Sequence, residues 1–466
     1  MNRFLFNSLQ AWLKDSDRKP LVLRGARQVG KTWLVRTLAE LNQKKLIELN
    51  FERQPSLISL FNSNDPKQII KNISASLSGE SIEINQSVLF LDEIQAAPQL
   101  LAQLRWFAEE MPELPVIAAG SLLEFVLKDH TFSMPVGRIQ YQHLEPLSFE
   151  EFLLALNQKN LVEYLNNFEL KLGTQNHLSI PELIHENLMQ FFREYLIVGG
   201  MPAVINSWVK ESSWERVAQV QQDLLTTYRD DFSKYRSRFA LERLDEILWA
   251  VPKMLGEKFV ASRASRTAQT STVKQILELF EKARLCHSVT SVSANGVPLG
   301  AEVKDKFFKE IFLDVGLCST ALSLNLHQLN QTKELVLVNS GGLAEQVVGQ
   351  LLRTLFPSYI EPVLYYWTRE ESGKNSEIDY IMALGNQVIP IEVKAGATGS
   401  LKSLHYFMET KKFEWAVRIN SDKPSCVEVD LKGFHMDCVK YKLASLPFYL
   451  IGQLPRLLRK LLGAAV

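Results

Sequence analysis

The sequence predicts a multidomain α/β protein, with a parallel-sheet domain first, helices in the middle and a second α/β domain last. Three observations lead there. "KPLVLRGARQVGKTWLV" sets a glycine-framed loop between an apolar strand and an amphipathic helix. "SVLFLDEIQ" is an apolar strand ending in two carboxylates, the pattern of a parallel strand buried on both faces. "EIDYIMALGNQVIPIEVKAG" reads as two strands joined by a tight turn and interrupted by Asp379, Glu392 and Lys394. A chain of 466 residues is also too long for one ordinary core.

The first domain is the most specific. Gly25, Ala26, Arg27, Gln28, Val29, Gly30, Lys31 and Thr32 match G-x-x-x-x-G-K-[ST], and Trp33 follows on the helix. Glycines allow backbone N–H groups to curl around phosphates, Lys31 reaches the outer phosphates and Thr32 offers a hydroxyl to Mg²⁺. The strand after them ends at Asp92 and Glu93, at the edge where ligands bind an open parallel sheet. Asp92 is expected to hold Mg²⁺ through water and Glu93 to polarise the attacking water, which together describe Mg-ATP hydrolysis. "LPVIAAGSLLEF" is a further buried strand ending at Ser121. Two readings of Ser121 stay open, a contact to the terminal phosphate or its water, and a helix cap. Arg138 is either an arginine finger or the partner of a surface acid.

From Phe149 the pattern turns helical. Ser148 and Glu151 form a capping box, and "LIHENLMQFFREYLIVGGMPAVI" is an amphipathic run stopped by Gly199 and Gly200. Between 241 and 293, helices followed by a strand and a hairpin describe a winged helix. Arg263, Arg266 and Lys274 stand at the start of its expected recognition helix, where they suit phosphates or base edges. DNA contact and protein contact both remain open for this region.

In the last segment Glu345 lies on a helix among apolar neighbours. Residues two apart in a strand share a face, so Glu392 and Lys394 point the same way, and the hairpin brings Asp379 beside them.

Taken together, "RGARQVGKTWLV", "LFLDEIQ", "GSLLEF", "HLEPLSFEEFL", "YLIVGGMPAVI", "IFLDVGLCSTAL", "GGLAEQVVGQLL" and "YYWTREESGKNSEIDYIM" carry a resemblance that runs nearly end to end. The chain resembles a family of prokaryotic AAA-type ATPases that carry a C-terminal domain of unknown function. The resemblance implies a P-loop AAA-type ATPase domain over 1–150, a helical lid over 151–238, a winged-helix region over 239–295 and a restriction-endonuclease-like α/β domain over 296–466. It places the nucleotide residues at Lys31, Asp92 and Glu93. The C-terminal hairpin resembles the PD-(D/E)xK nuclease signature, supplied here by Asp379, Glu392 and Lys394, with Glu345 as the auxiliary acid. The proline that precedes the signature's Asp is absent, and Ile378 stands there. Carboxylates of this kind bind Mg²⁺ through oxygen, and the metal polarises a phosphodiester. Lys394 would neutralise the phosphate or orient the nucleophile. The implied function is Mg-dependent ATP hydrolysis coupled to DNA binding, with phosphodiester cleavage by the C-terminal domain. The alternative is a nucleotide-dependent switch or scaffold without nuclease activity.

Bulk composition adds little. Lys plus Arg equals Asp plus Glu at 52 each, so any basic footprint is local. Four scattered cysteines without a CxxC pair fit a reducing cytoplasm rather than a disulfide framework or a zinc site. No apolar run is long enough for a membrane span. An oligomer or a protein partner stays open.

Overall fold

The computed structural model describes residues 2–76, 82–121, 123, 137–175, 179–232, 239–324, 340–371, 374–396, 399–433 and 438–463. They gather into two compact units. The first is Met1–Pro146 with two short later segments, Lys282–Leu285 and Phe356–Glu361. The second is the remainder. No helix among the described residues is long and apolar enough to cross a membrane.

The first unit runs α1 (Leu5–Lys14), β1 (Leu21–Arg24), α2 (Lys31–Leu41), β2 (Lys45–Asn50), α3 (Pro66–Ser76), β3 (Ser87–Asp92), α4 (Leu100–Glu110), β4 (Val116–Ala119) and β5 (Gln140–His143). Its strands lie in the order β2-β3-β4-β1-β5, and every neighbouring pair is parallel. Every residue of β3 and β4 is buried, which is why both strands read as unbroken apolar runs. Leu49, Leu89 and Leu91 pack with Ile69 and Ile73 of α3 and with Leu101, Leu104 and Phe107 of α4. Each such side chain contributes about 1.5–3 kcal/mol by leaving water. Register then decides where chemistry can occur. Asn50 pairs with Asp92 and Asp92 with Ala119, so the polar ends of β2, β3 and β4 come out along one edge.

The first unit is discontinuous in sequence. Ser358 accepts from the His143 backbone at 2.7 Å. Arg284 lies 3.0 Å from Glu361 and 3.5 Å from Glu145, and Arg24 lies 3.4 Å from Glu361.

The second unit opens with helices: α5 (Phe149–Ala155), α6 (Lys159–Asn167), α7 (Glu182–Val198), α8 (Pro202–Glu211), α9 (Trp214–Asp231), α10 (Leu241–Leu248), α11 (Ala250–Lys253), α12 (Ala261–Ala264) and α13 (Thr270–Lys282). The Ser148–Glu151 capping box starts α5, and Gly199, at φ +75°, ends α7. Next come β6 (Cys286–Val292), β7 (Val303–Phe312), α14 (Val315–Ala321), α15 (Ser340–Arg353), β8 (Leu364–Glu371), β9 (Lys374–Leu384), β10 (Gln387–Val393), α16 (Lys402–Lys411), β11 (Trp415–Asn420), β12 (Ser425–Leu431), β13 (Val439–Pro447) and α17 (Leu454–Leu461).

All eight strands form one mixed sheet, ordered β12-β13-β11-β10-β9-β8-β6-β7. The boundary expected between 295 and 296 falls inside the β6–β7 hairpin. The reason is pairing on both sides: β6 is antiparallel to β7 and parallel to β8, so it joins this sheet. Helix α15 packs closely because two glycines permit it. A Cβ at Gly349 would meet the Tyr380 hydroxyl at 2.4 Å, and one at Gly342 would meet the Leu255 carbonyl oxygen at 2.7 Å. Gln346, on the same helix, brackets Phe312: its Oε1 accepts from the backbone N–H and its Nε2 donates to the carbonyl, both at 2.7 Å. The end of β7 is thereby tied to α15.

Candidate functional site

The loop between β1 and α2 has the backbone that its glycines suggest. A Cβ at Gly25 would lie 2.5 Å from the Leu144 carbonyl oxygen, and Gly30 caps α2 at φ +99°. Arg3 holds the loop from outside by donating to the Val29 carbonyl at 2.8 Å. Lys31 is buried, and its amine donates to the carbonyls of Gly25 and Ala26 at 2.9 and 2.8 Å. Burial lowers its pKa to about 8, against the pull of Glu93 and Asp92.

Facing the loop is the end of β3. Asp92 Oδ2 lies 3.4 Å from the Thr32 hydroxyl and accepts from Asn50 Nδ2 at 3.1 Å. Burial, then the charges of Glu93 and Glu48, push the Asp92 carboxyl up to about 6. A carboxylate in this setting is short of positive charge. A hydroxyl and a carboxylate are hard oxygen donors, so Thr32 and Asp92 fit Mg²⁺. Glu93 stands at φ +51°, a left-handed backbone. Its Oε2 accepts from Gln95 Nε2 at 2.5 Å and lies 3.4 Å from the Ser121 hydroxyl. Ser121 thus sits at the end of β4 against the Glu93 carboxylate. Gly120 leaves room for that arrangement, because a Cβ there would meet Gln95 Oε1 at 2.1 Å.

Trp33 is 42% exposed on α2. Arg138 lies on the surface with its Nε 2.7 Å from Glu109 Oε1, the acid-paired arrangement. Arg284 was not legible as a candidate. It lies far from the loop in sequence, yet it is buried in the first unit, where its charge helps to lower the Lys31 pKa.

The second unit holds another cluster of charges. Glu392 Oε1 lies 2.7 Å from Lys394 Nζ, and Asp379 Oδ2 accepts from the Val393 backbone at 2.7 Å. Two further residues complete it. Lys309, from β7, is 3% exposed, with its Nζ 2.9 Å from Glu345, 2.5 Å from Glu377 and 3.9 Å from Asp379. Glu377 shares the strand face of Asp379, and that spacing of two was the signal for it. Lys309 was hidden because its strand lies outside the hairpin. Burial, then Asp379, push the Glu345 carboxyl up to about 8, and Glu392 is raised to about 8 for the same reasons. Burial works against the Lys309 ammonium, but Glu345, Asp379 and Glu377 outweigh it and raise its pKa well above the usual lysine value.

Among the described residues, no group of three or more His, Cys, Asp or Glu side chains is arranged to hold a metal. The Mg²⁺ expected on Glu345, Asp379 and Glu392 does not fit this arrangement, because an ammonium already stands between Glu345 and Asp379.

The three basic residues expected to meet nucleic acid are exposed: Arg263 on α12, Arg266 in the following turn and Lys274 on α13. Arg263 is ion-paired with Glu257.

Residues 17–153 match the family profile described as AAA domain. Residues 189–328 match one described as Domain of unknown function (DUF8612), and residues 340–424 one described as Domain of unknown function (DUF4143). The first unit contains an AAA-type P-loop ATPase domain, a class whose substrate is a nucleotide. A comparison with curated proteins finds no match. Among solved structures, the chain is similar to a Walker-type ATPase of Pyrococcus abyssi, at 16% identity and a TM-score of 0.42, covering 68% of this chain and 94% of that one. It is similar to the Aeropyrum pernix ORC2 protein in its ADPNP-ADP complexes, at 12% identity, a TM-score of 0.36 and coverage of 71% and 94%. It is also similar to the Aeropyrum pernix ORC1 protein in complex with DNA, at 12% identity, a TM-score of 0.30 and coverage of 70% and 93%.

Proposed function

We propose that the chain couples Mg²⁺-dependent ATP hydrolysis in the first unit to DNA binding by the second. The observation that carries the hydrolytic part is the Glu93 carboxylate, held by Gln95 and Ser121 beside Asp92 and Thr32. In this reading the loop N–H groups and Lys31 bind the β- and γ-phosphates. Thr32 and Asp92 would hold the Mg²⁺, which would neutralise charge on the phosphate oxygens. Glu93 orients the attacking water and accepts its proton, and Ser121 keeps the carboxylate in place. Arg138 serves as a surface ion-pair residue.

In the same reading, helices α5 to α9 act as the lid. Helices α10 to α13 with the β6–β7 hairpin act as a winged helix, and α13 presents Lys274. Arg284 lies buried in the first unit among Glu145, Glu361 and His143. Of the two readings of the C-terminal domain, Lys309 among its acids favours the one without cleavage.

The test uses the full chain. ATP hydrolysis falls on the order of a hundredfold or more in Lys31→Ala and in Glu93→Gln. Wild-type rates in both would sink the hydrolytic assignment. Duplex DNA retention differs between the ADP and ATP-analogue states, weakens as salt rises, and drops in Arg266→Ala/Lys274→Ala. Equal, salt-independent retention in every state would remove the coupling.

A further inference from the structure

We infer that Lys309 is the resident cation of the C-terminal acidic centre, a tethered ammonium standing where a nuclease of this strand pattern holds a divalent ion. The inference does not depend on nucleotide chemistry and stands whether or not the ATPase reading does.

Placement is the first argument. The Lys309 amine meets Glu345 from α15 at 2.9 Å and Glu377 from β9 at 2.5 Å, and lies 3.9 Å from Asp379. The Tyr366 ring lies beside it, with its centroid 5.3 Å from the amine. The ammonium therefore joins a helix to the central hairpin, the structural task of a bound ion. Its directional donors suit these distances, whereas Mg²⁺ demands closer, near-octahedral oxygen contacts.

Fixation is the second. Lys309 is held in β7 by pairing with Val289 on one side and a bridge to Lys258 on the other. Phe259 donates to the Phe308 carbonyl at 2.9 Å on that second side. Three residues on, Phe312 is clamped at both its N–H and its carbonyl by Gln346, one residue after Glu345 on the same helix. The amine and its Glu345 partner are thus set by one backbone framework.

Charge is the third. A divalent ion among the same carboxylates would sit beside a buried positive charge, and their repulsion opposes joint occupancy. The ammonium and a metal compete for one place, and only the ammonium is covalently attached.

Mn²⁺ binding to the full chain without nucleotide, read by electron paramagnetic resonance, tests this. An Asp92→Asn background removes the first centre. With Lys309 intact, or as Lys309→Arg, no Mn²⁺ binds beyond the level of an added Asp379→Asn. Lys309→Met keeps the bulk, removes the charge and gains one bound Mn²⁺ per chain, lost again on adding Asp379→Asn. Removing the ammonium exposes buried acids to mutual repulsion, so the thermal midpoint with Lys309 intact is measured in parallel. That midpoint is the same in EDTA and in Mn²⁺. An Asp379-dependent Mn²⁺ site or Mn²⁺-raised midpoint with Lys309 present overturns the inference. So does a folded Lys309→Met chain that takes up no Mn²⁺.

Discussion

Asp314 Oδ2 accepts a hydrogen bond from the Gly200 backbone N–H at 2.6 Å, across 114 residues of sequence. The same carboxylate caps α14 by accepting from Gly316 and Leu317, and takes a further bond from Gln350 Nε2 at 3.0 Å. Gly199 has no room for a side chain: its Cβ would lie 2.1 Å from Asp314 Oδ1, and its φ is +75°. Gly199→Ala is expected to lower stability by about 2–4 kcal/mol through backbone strain and collision. Asp314→Ala costs about 3–5 kcal/mol by leaving several buried donors unmet. Urea denaturation measures both, and a loss below about 1 kcal/mol in each would show that the junction is not structural.

Ser121 acts through Glu93 in the proposed mechanism. Ser121→Ala removes the hydroxyl that lies 3.4 Å from Glu93 Oε2. Its expected effect is a fall of roughly tenfold in kcat with little change in KM, since substrate binding is left to the loop and Lys31. Gly120→Ala displaces Gln95, the other residue on that carboxylate, and lowers kcat in the same way. Steady-state kinetics separate this from a phosphate-binding role for Ser121, which would raise KM.

Glu310 provides a pH test. It is buried on β7, and burial followed by the charge of Glu281 raises its pKa well above the usual glutamate value, although Ser288 and Cys286 hydrogen-bond to it. The folded chain therefore keeps a proton that the unfolded chain loses near the ordinary glutamate value. Stability from this group is fully present below that value and falls as pH rises toward the folded pKa, by up to about 1.4 kcal/mol per pH unit. Glu310→Gln lacks the titration. As pH rises above about 5 the variant is expected to gain on the wild type in urea denaturation. Parallel pH profiles would place the proton elsewhere.

Metal removal separates the two centres. EDTA is expected to abolish ATP hydrolysis, with excess Mg²⁺ restoring it, because Thr32 and Asp92 present oxygen donors to the ion. Hydrolysis that continues at full rate in excess EDTA would contradict the role proposed for that pair.

Much of the fold was legible because its signals are local. The G-x-x-x-x-G-K-T loop, the acid-ended β3, the Ser148 cap and the turn at Gly385, which stands at φ +60°, are all written within a few residues. Glu377 was available from strand alternation and was overlooked. The β6–β7 hairpin was visible as a hairpin, but its place in the C-terminal sheet was not, because parallel pairing to β8 leaves no nearby signal.

The sequence alone determined the backbone geometry of the phosphate loop and the strand faces on which Asp379 and Glu392 stand, whereas Lys394 lies one residue past the end of β10. Those features follow from glycine conformations and the period of two in a strand. Only the tertiary structure decided which charges meet: Arg284 in the first unit, and Lys309 with Glu345 and Asp379 in the second. The reason is physical. Backbone preference acts over a few residues, whereas a buried charge is balanced by whichever group the packing of distant strands and helices brings to it.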